Sequence, residues 1–280
     1  MNNGRKKILV LGSAGMLGHV LLKKLITFNL FEVYDITRNK QDRLNNFECD
    51  ITNFDSLFEI VKKLNPDCII NCIGVLIKGS LKDPSNAILI NALLPHKLVQ
   101  FSKAINAKLI HISTDCVFDG LKGGYSETDN KTAQDTYGLS KSLGEINDDK
   151  NLTLRTSIIG PELKNNGEGL FSWFINQKGE VNGFAESIWG GVTTLKLADV
   201  IIKSINENYT GLVHVTNGKP ISKFDLLSLI KDKFELNNID LKKVLGKKSD
   251  KSLNTKYDYF NVPSYEHMIT DMHKYYLENY

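Results

Sequence analysis

No stretch of the 280-residue chain approaches the roughly 18 consecutive apolar residues of a membrane helix. Arg5-Lys6-Lys7 before an apolar run imitates a signal peptide, but four residues later the run meets Gly12, too soon for a secretory core. Excess charge is also lacking. Lys and Arg number 35 against 32 Asp and Glu, too even a balance for nucleic-acid binding through phosphates. The lysines at 242, 243, 247, 248 and 251 read as a solvated loop. Of the four cysteines, Cys49, Cys68, Cys72 and Cys116, none has paired C-x-x-C spacing, so no metal site is expected. Cys68 and Cys72 flank a strand-like apolar run, which predicts buried free thiols. With no secretion signal, they place the chain in a reducing cytoplasm. Internal repeats and low-complexity tracts are absent. What remains is ordinary globular composition, 41% hydrophobic and 24% charged, in a length that suits one large domain or a nucleotide-binding domain with a small companion.

Apolar strand-like runs alternate with helical patterns through residue 160, which predicts an α/β fold built on a doubly wound parallel sheet. The first strand, Ile8 to Leu11, runs into Gly12-Ser13-Ala14-Gly15-Met16-Leu17-Gly18 and then into a helix from His19. Strand, glycine turn and helix form the context of a dinucleotide fingerprint. Gly12 permits the tight turn, Gly15 lets the backbone approach a pyrophosphate, and Gly18 lets helix and strand pack closely. The free N–H groups of the helix start suit phosphate.

The second strand covers Phe31 to Arg38. Asp35 follows Gly18 by 17 residues, where an acid takes the adenosine ribose hydroxyls of NAD(H). Arg38 suits the 2′-phosphate of NADP(H) instead. Both cofactors therefore stay open. The fourth strand is predicted from Asp67 to Gly74, and a single long helix from Asn86 to Asn106. Residues 108–113 form the fifth strand, residues 137–145 a helix, and 152–155 the sixth strand. After Gly160 the pattern loosens. Residues 161–169 read as a loop, 195–206 as a helix, 211–217 as a strand returning to the sheet, and 223–234 and 265–277 as helices. The expected division is 1–160 plus 191–217 for an NAD(P)-binding Rossmann domain, and 161–190 plus 218–280 for a substrate-binding part.

Ligands of open parallel sheets bind beyond the carboxyl ends of the strands, and Gly12, Asp35, Gly74, Thr114 and Thr156 all fall there. Tyr137 and Lys141 stand one helical turn apart, so phenol and ammonium share a face. A free tyrosine has a pKa near ~10; a neighbouring cation favours phenolate and lowers it, making a useful acid near neutral pH. Ser113-Thr114-Asp115 precedes this pair at the end of the fifth strand.

These residues together resemble the extended short-chain dehydrogenase/reductases, and within them the dTDP-4-dehydrorhamnose reductase family. The markers are Gly12 to Gly18, Ser113-Thr-Asp-Cys-Val-Phe-Asp-Gly120, Tyr137-Gly-Leu-Ser-Lys141, Leu154-Arg-Thr156 and Ser252-Leu253-Asn254, spread almost end to end. The resemblance implies reduction, by NADP(H) or NAD(H), of the 4-keto group of a nucleotide-activated 6-deoxysugar in cell-surface polysaccharide synthesis. It implies Thr114, Tyr137 and Lys141 as the catalytic trio, with Asp115 beside them. It marks Asp50 and Ile51 for the adenine, Cys72, Ile73 and Gly74 for the middle of the cofactor, and Asn91 as support for the lysine. Val75 and Trp189 are assigned to the sugar, and a homodimer is a further expectation.

Two segments depart from the family. Val75 to Gly79 is apolar and basic where the rhamnose enzymes are acidic, and Gly160 to Trp189 differs too. A UDP-4-keto-6-deoxy-N-acetylhexosamine therefore rivals dTDP-4-dehydrorhamnose as substrate. Cys116 stands where the related dehydratases carry a Glu, and a thiol is a poor base for eliminating water. An NAD-dependent epimerase and a non-catalytic NADP(H)-binding protein are the alternative functions. The intact Thr114, Tyr137 and Lys141 argue against the second.

Overall fold

The computed structural model describes residues 4–163 and 167–280. The loop expected at 161–169 therefore lies partly, at 164–166, outside the described residues. In chain order the elements are β1 (Lys7–Leu11), α1 (Gly18–Phe28), β2 (Glu32–Thr37), β3 (Asn46–Glu48), α2 (Phe54–Leu64), β4 (Cys68–Asn71), α3 (Ile77–Lys82) and α4 (Pro84–Ala87). A π-helical segment (Ile88–Leu93) leads into α5 (Leu94–Ala104), followed by β5 (Lys108–Thr114), α6 (Thr136–Leu143) and β6 (Leu152–Thr156). Then come β7 (Ile158–Ile159), α7 (Leu170–Ile175), β8 (Gly179–Phe184), β9 (Ser187–Trp189), β10 (Val192–Thr193), α8 (Thr194–Asn206) and β11 (Gly211–His214). The chain closes with β12 (Ile221–Ser222), α9 (Lys223–Lys233), β13 (Ile239–Val244), β14 (Ser249–Asp250) and α10 (Tyr265–Asn279).

Seven strands form the main sheet in the order β11-β6-β5-β4-β1-β2-β3. β1 pairs in parallel with β2 and β4, β2 with β3, and β4 with β5. Ile8, Leu9, Val10 and Leu11 are fully buried, as a central parallel strand covered on both faces requires. Leu9, Leu11, Ile36, Ile69 and Leu109 meet Leu57 and Val61 of α2 and Leu94 and Leu98 of α5 in one apolar core. The strand read at 211–217 does join this sheet, as β11.

Backbone contacts divide the chain into two compact units. The first holds residues up to Ser113, Ala133–Leu154 and Ala198–Val213; the second holds Thr114–Thr132, Arg155–Leu197 and His214–Tyr280. In the second unit, three small sheets pair β10 with β7, β9 with β12 and β14, and β13 with β8. Phe118 and Tyr125 stack there with ring centroids 4.1 Å apart, beside buried Val117 and Leu253. The guanidinium of buried Arg155 lies 5.0 Å over the Phe118 ring and bonds His214 Nε2 at 2.8 Å. His214 Nδ1 bonds Asn254 O at 2.7 Å, so the Ser252-Leu253-Asn254 element is fixed by a buried polar chain.

Several elements differ from their sequence reading, among them the returning strand, which was read to Asn217 and ends at His214. The fourth strand stops at Asn71, three residues before Gly74. Asn71 Oδ1 accepts a hydrogen bond from Ile73 N–H at 3.1 Å, a local side-chain bond that turns the chain out of the ladder. The helix expected at 86–106 is not uniform, because Ile88–Leu93 widens into a π segment. Pro95 lacks the N–H that would bond the Asn91 carbonyl four residues back, and its ring crowds that carbonyl. A wider turn relieves both. Helix α3 had no counterpart in the sequence reading.

Candidate functional site

The glycine turn is shaped by close approaches. Gly12 has φ +83°, and a Cβ there would stand 2.8 Å from Ile73 Cγ1. A Cβ on Gly18 would lie 2.1 Å from Gly12 O, so the start of α1 packs directly on the turn. Gly15 N–H donates to Gly12 O at 2.9 Å. Ala14 and Gly15 are exposed and Met16 half-buried, whereas Ser13 and Leu17 are buried. No side chain caps α1, and its first turn carries no acidic residue. An exposed glycine turn above uncapped N–H groups is what a dinucleotide pyrophosphate requires, so the residues present fit a nicotinamide dinucleotide.

Asp35 is buried, 2% exposed, and its carboxylate is enclosed by protein donors. Ser13 Oγ, Asn46 Nδ2 (3.0 Å), and Arg43 through both Nε (3.2 Å) and Nη2 all donate to it. Arg38 is exposed. Its charge acts on Asp50, whose carboxyl sits below the usual range chiefly because the Thr52 N–H and hydroxyl donate to it. Ile51 packs against the core.

Past β4, Asn91 holds the segment carrying Cys72, Ile73, Gly74 and Val75. Its Oδ1 accepts from Val75 N–H at 2.8 Å, and its Nδ2 donates to Val75 O at 2.9 Å and to Ser140 Oγ at 3.1 Å. A Cβ on Gly144 would fall 1.9 Å from Asn91 O, so the end of α6 lies against the π segment. Burial pushes the Cys72 thiol up to about 12, so it stays protonated near neutral pH.

Helix α6 starts where Asp135 caps the Gly138 N–H at 2.9 Å. Tyr137 is half-buried and Lys141 is 4% exposed. Lys141 Nζ donates to Ile112 O at 2.6 Å. Burial lowers the Lys141 ammonium to about 8, against the opposing pull of Glu145 and Cys72. Glu145 in turn accepts from Ser113 Oγ at 2.6 Å.

The remaining expected residues belong to the second unit. Thr114 Oγ1 donates to Asp115 Oδ1 at 3.2 Å and accepts from Cys116 N–H at 3.1 Å. Burial raises the Asp115 carboxyl, opposed most by Lys251. The Cys116 thiol is pushed up to about 12, mainly by burial. Trp189 is 7% exposed; its indole N–H donates to Ser157 Oγ at 2.8 Å and its ring tilts against Tyr265. It is packed in the core of its unit.

Sequence reasoning missed Arg43, Asn46, Ser140 and Glu145. Arg43 follows Asp35 by eight residues and sits in an irregular loop, so no periodicity pointed to it. Ser140 and Glu145 lie inside and beside the Tyr-x-x-x-Lys helix and were within reach of an i, i+3 or i+4 reading.

The chain matches the model of the RmlD substrate binding domain family over residues 6–256. It is 29% identical over 238 residues to a dTDP-4-dehydrorhamnose reductase of Aggregatibacter actinomycetemcomitans, covering 81% of this chain and 78% of the relative. It is 28% identical to a dTDP-4-keto-6-deoxy-D-glucose reductase of Streptomyces niveus, covering 78% and 75%. A hypothetical dTDP-4-dehydrorhamnose reductase from Sulfolobus tokodaii has a crystal structure that superposes with a TM-score of 0.77 at 29% identity, over 92% of this chain and 97% of that one. With that match spanning the glycine turn, the Tyr137/Lys141 helix and the Ser252-Leu253-Asn254 element, the chain belongs to the RmlD substrate binding domain family.

Proposed function

We propose that this protein reduces the 4-keto group of a nucleotide-activated 4-keto-6-deoxysugar with NAD(P)H, in the synthesis of a cell-surface polysaccharide. The observation that carries this reading is Lys141. A lysine 4% exposed, bonded to Ile112 O and one turn from Tyr137, is a costly placement for a cation with only a structural role. Family membership and the reductase names of the relatives support it.

Gly12 to Gly18 would hold the pyrophosphate, the Cys72 to Gly74 segment the middle of the dinucleotide, and Lys141 the nicotinamide ribose. When bound, NAD(P)H supplies the hydride that reduces C4. Tyr137 supplies the proton to the developing alkoxide. Lys141, cationic below about 8, favours the phenolate left behind and so makes the phenol a stronger acid. Thr114 turns its hydroxyl from Asp115 Oδ1 to donate to the sugar carbonyl, and Asp115, whose carboxyl is raised by burial, lies next to it in the chain. The protonated Cys116 thiol is unsuited to the base step of a dehydratase.

Pairing of two copies is part of the proposal. Ile77 and Leu81 of α3, Ile88 and Leu93 of the π segment, and Leu139 and Leu143 of α6 are 41–67% exposed, more apolar surface than scattered single residues explain.

The test is incubation with NADPH or NADH and a panel of dTDP-, UDP- and GDP-4-keto-6-deoxysugars, including dTDP-4-dehydrorhamnose and a UDP-4-keto-6-deoxy-N-acetylhexosamine. Wild type should oxidise the cofactor and yield a reduced sugar. Tyr137→Phe should still bind cofactor while turning over roughly 10²–10⁴-fold more slowly. Near-normal turnover by that variant removes Tyr137 from the chemistry.

A further inference from the structure

We infer that Arg43 makes this protein selective for the 2′-phosphorylated cofactor, NADP(H), by occupying the carboxylate that would otherwise select NAD(H). The inference rests on the cofactor half of the reading above and on no property of the sugar.

An acid at the end of the second strand selects NAD(H) by accepting hydrogen bonds from the ribose hydroxyls. Asp35 stands at that place in the sequence, but protein donors already engage both oxygens of its carboxylate. Four donations reach Asp35: Arg43 Nε on Oδ1, and Ser13 Oγ, Asn46 Nδ2 and Arg43 Nη2 on Oδ2. At 2% exposure the group has no surface for a ligand either.

The arrangement is built in from several sides. Asn46 is itself buried and held by Thr37 and by the Gln41 N–H at 2.8 Å. Lys40 Nζ donates to Asn46 O. Asp35 N–H donates to Asn45 O at 3.1 Å, and Asn45 takes a left-handed φ of 60° to close the loop. The loop from residue 38 to 45 is therefore folded back so that Arg43 lies over the strand end.

Its guanidinium is what remains accessible. The Arg43 side chain is 32% exposed against 3% for Asp35. Nη2 also lies 3.2 Å from Ser13 Oγ, at the glycine turn where the pyrophosphate would sit. Nη1 donates to no acceptor among the described residues. A guanidinium with a free N–H edge beside a phosphate-binding turn recognises a second phosphate, not a pair of hydroxyls. Arg38, named from the sequence for this task, is exposed and hydrogen-bonds no part of the Asp35 cluster; its charge acts on Asp50.

The experiment measures dissociation constants of the intact protein for NADPH and NADH by titration calorimetry, with no sugar present, in wild type, Arg43→Ala and Arg43→Gln. Wild type should bind NADPH at least about tenfold tighter than NADH, the effect of one charge-assisted hydrogen bond. Both variants should weaken NADPH by that factor and leave NADH unchanged or tighter, since two donors leave Asp35. Equal wild-type constants, preference for NADH, or equal weakening of both cofactors in the variants overturns the inference. A wild-type ratio of one, or a preference for NADH, overturns the inference even if a variant fails to fold. Normal cofactor selectivity without turnover of any keto sugar would sink the reductase reading alone.

Discussion

Replacing Asn91 by alanine should damage both stability and the reaction, because one amide ties two functional segments together. Its carboxamide makes three hydrogen bonds, two to the backbone of Val75 and one to Ser140 Oγ, at 2.8–3.1 Å. Asn91 is 0% exposed and Ser140 2% exposed, so lost partners are not fully replaced by water. At a net ~0.5–1.5 kcal/mol for each bond, the variant should lose about 2–4 kcal/mol of unfolding free energy. Asn91→Asp keeps the shape but loses the two donations. Ser140 Oγ already donates to Tyr137 O at 2.9 Å, so one oxygen of the new carboxylate would keep the Val75 N–H while the other faced the Val75 carbonyl without a donor. That variant should lose at least as much. Urea unfolding followed by circular dichroism, at unchanged m-value, measures both. A double-mutant cycle with Ser140→Ala should return a coupling of about 0.5–1.5 kcal/mol. A loss below ~1 kcal/mol in Asn91→Ala, or an Asn91→Asp variant as stable as wild type, would refute the reasoning.

The pH dependence follows from Lys141. Burial lowers its ammonium from 10.5 to about 8, so its charge is present below that pH and lost above it. The kcat/KM for reduction should fall progressively above pH ~8, and a profile flat to pH ~9.5 would remove the ammonium from the mechanism. For the apolar face of α3, the π segment and α6, light scattering should give a dimer mass for wild type and a monomer mass for Leu139→Glu/Leu143→Glu; a monomeric wild type ends that part of the proposal.

The strand-turn-helix at the N-terminus was legible because every signal for it is local. A buried apolar run, glycines in register and an amphipathic helix are consequences of neighbours in sequence. The Tyr137/Lys141 pair was legible for the same reason, since one helical turn sets its geometry. The fourth strand was read three residues too long because a side-chain bond from Asn71 outcompetes the apolar pattern of its neighbours. The uniform helix at 86–106 failed at Pro95, whose effect falls on the carbonyl of Asn91 one turn earlier.

By itself, then, the sequence determined the parallel α/β architecture, the dinucleotide turn and the one-turn spacing of Tyr137 and Lys141, all written in residues at most a few positions apart. Only the tertiary structure decided what those residues are available to do. It buried Asp35 under Ser13, Arg43 and Asn46, placed Trp189 in a core, set Asn91 between Val75 and Ser140, and sank Lys141 against Ile112. Burial and hydrogen-bond saturation depend on partners distant in the chain, so the same carboxylate reads as an NAD(H) acid in sequence and as the anchor of an arginine in space.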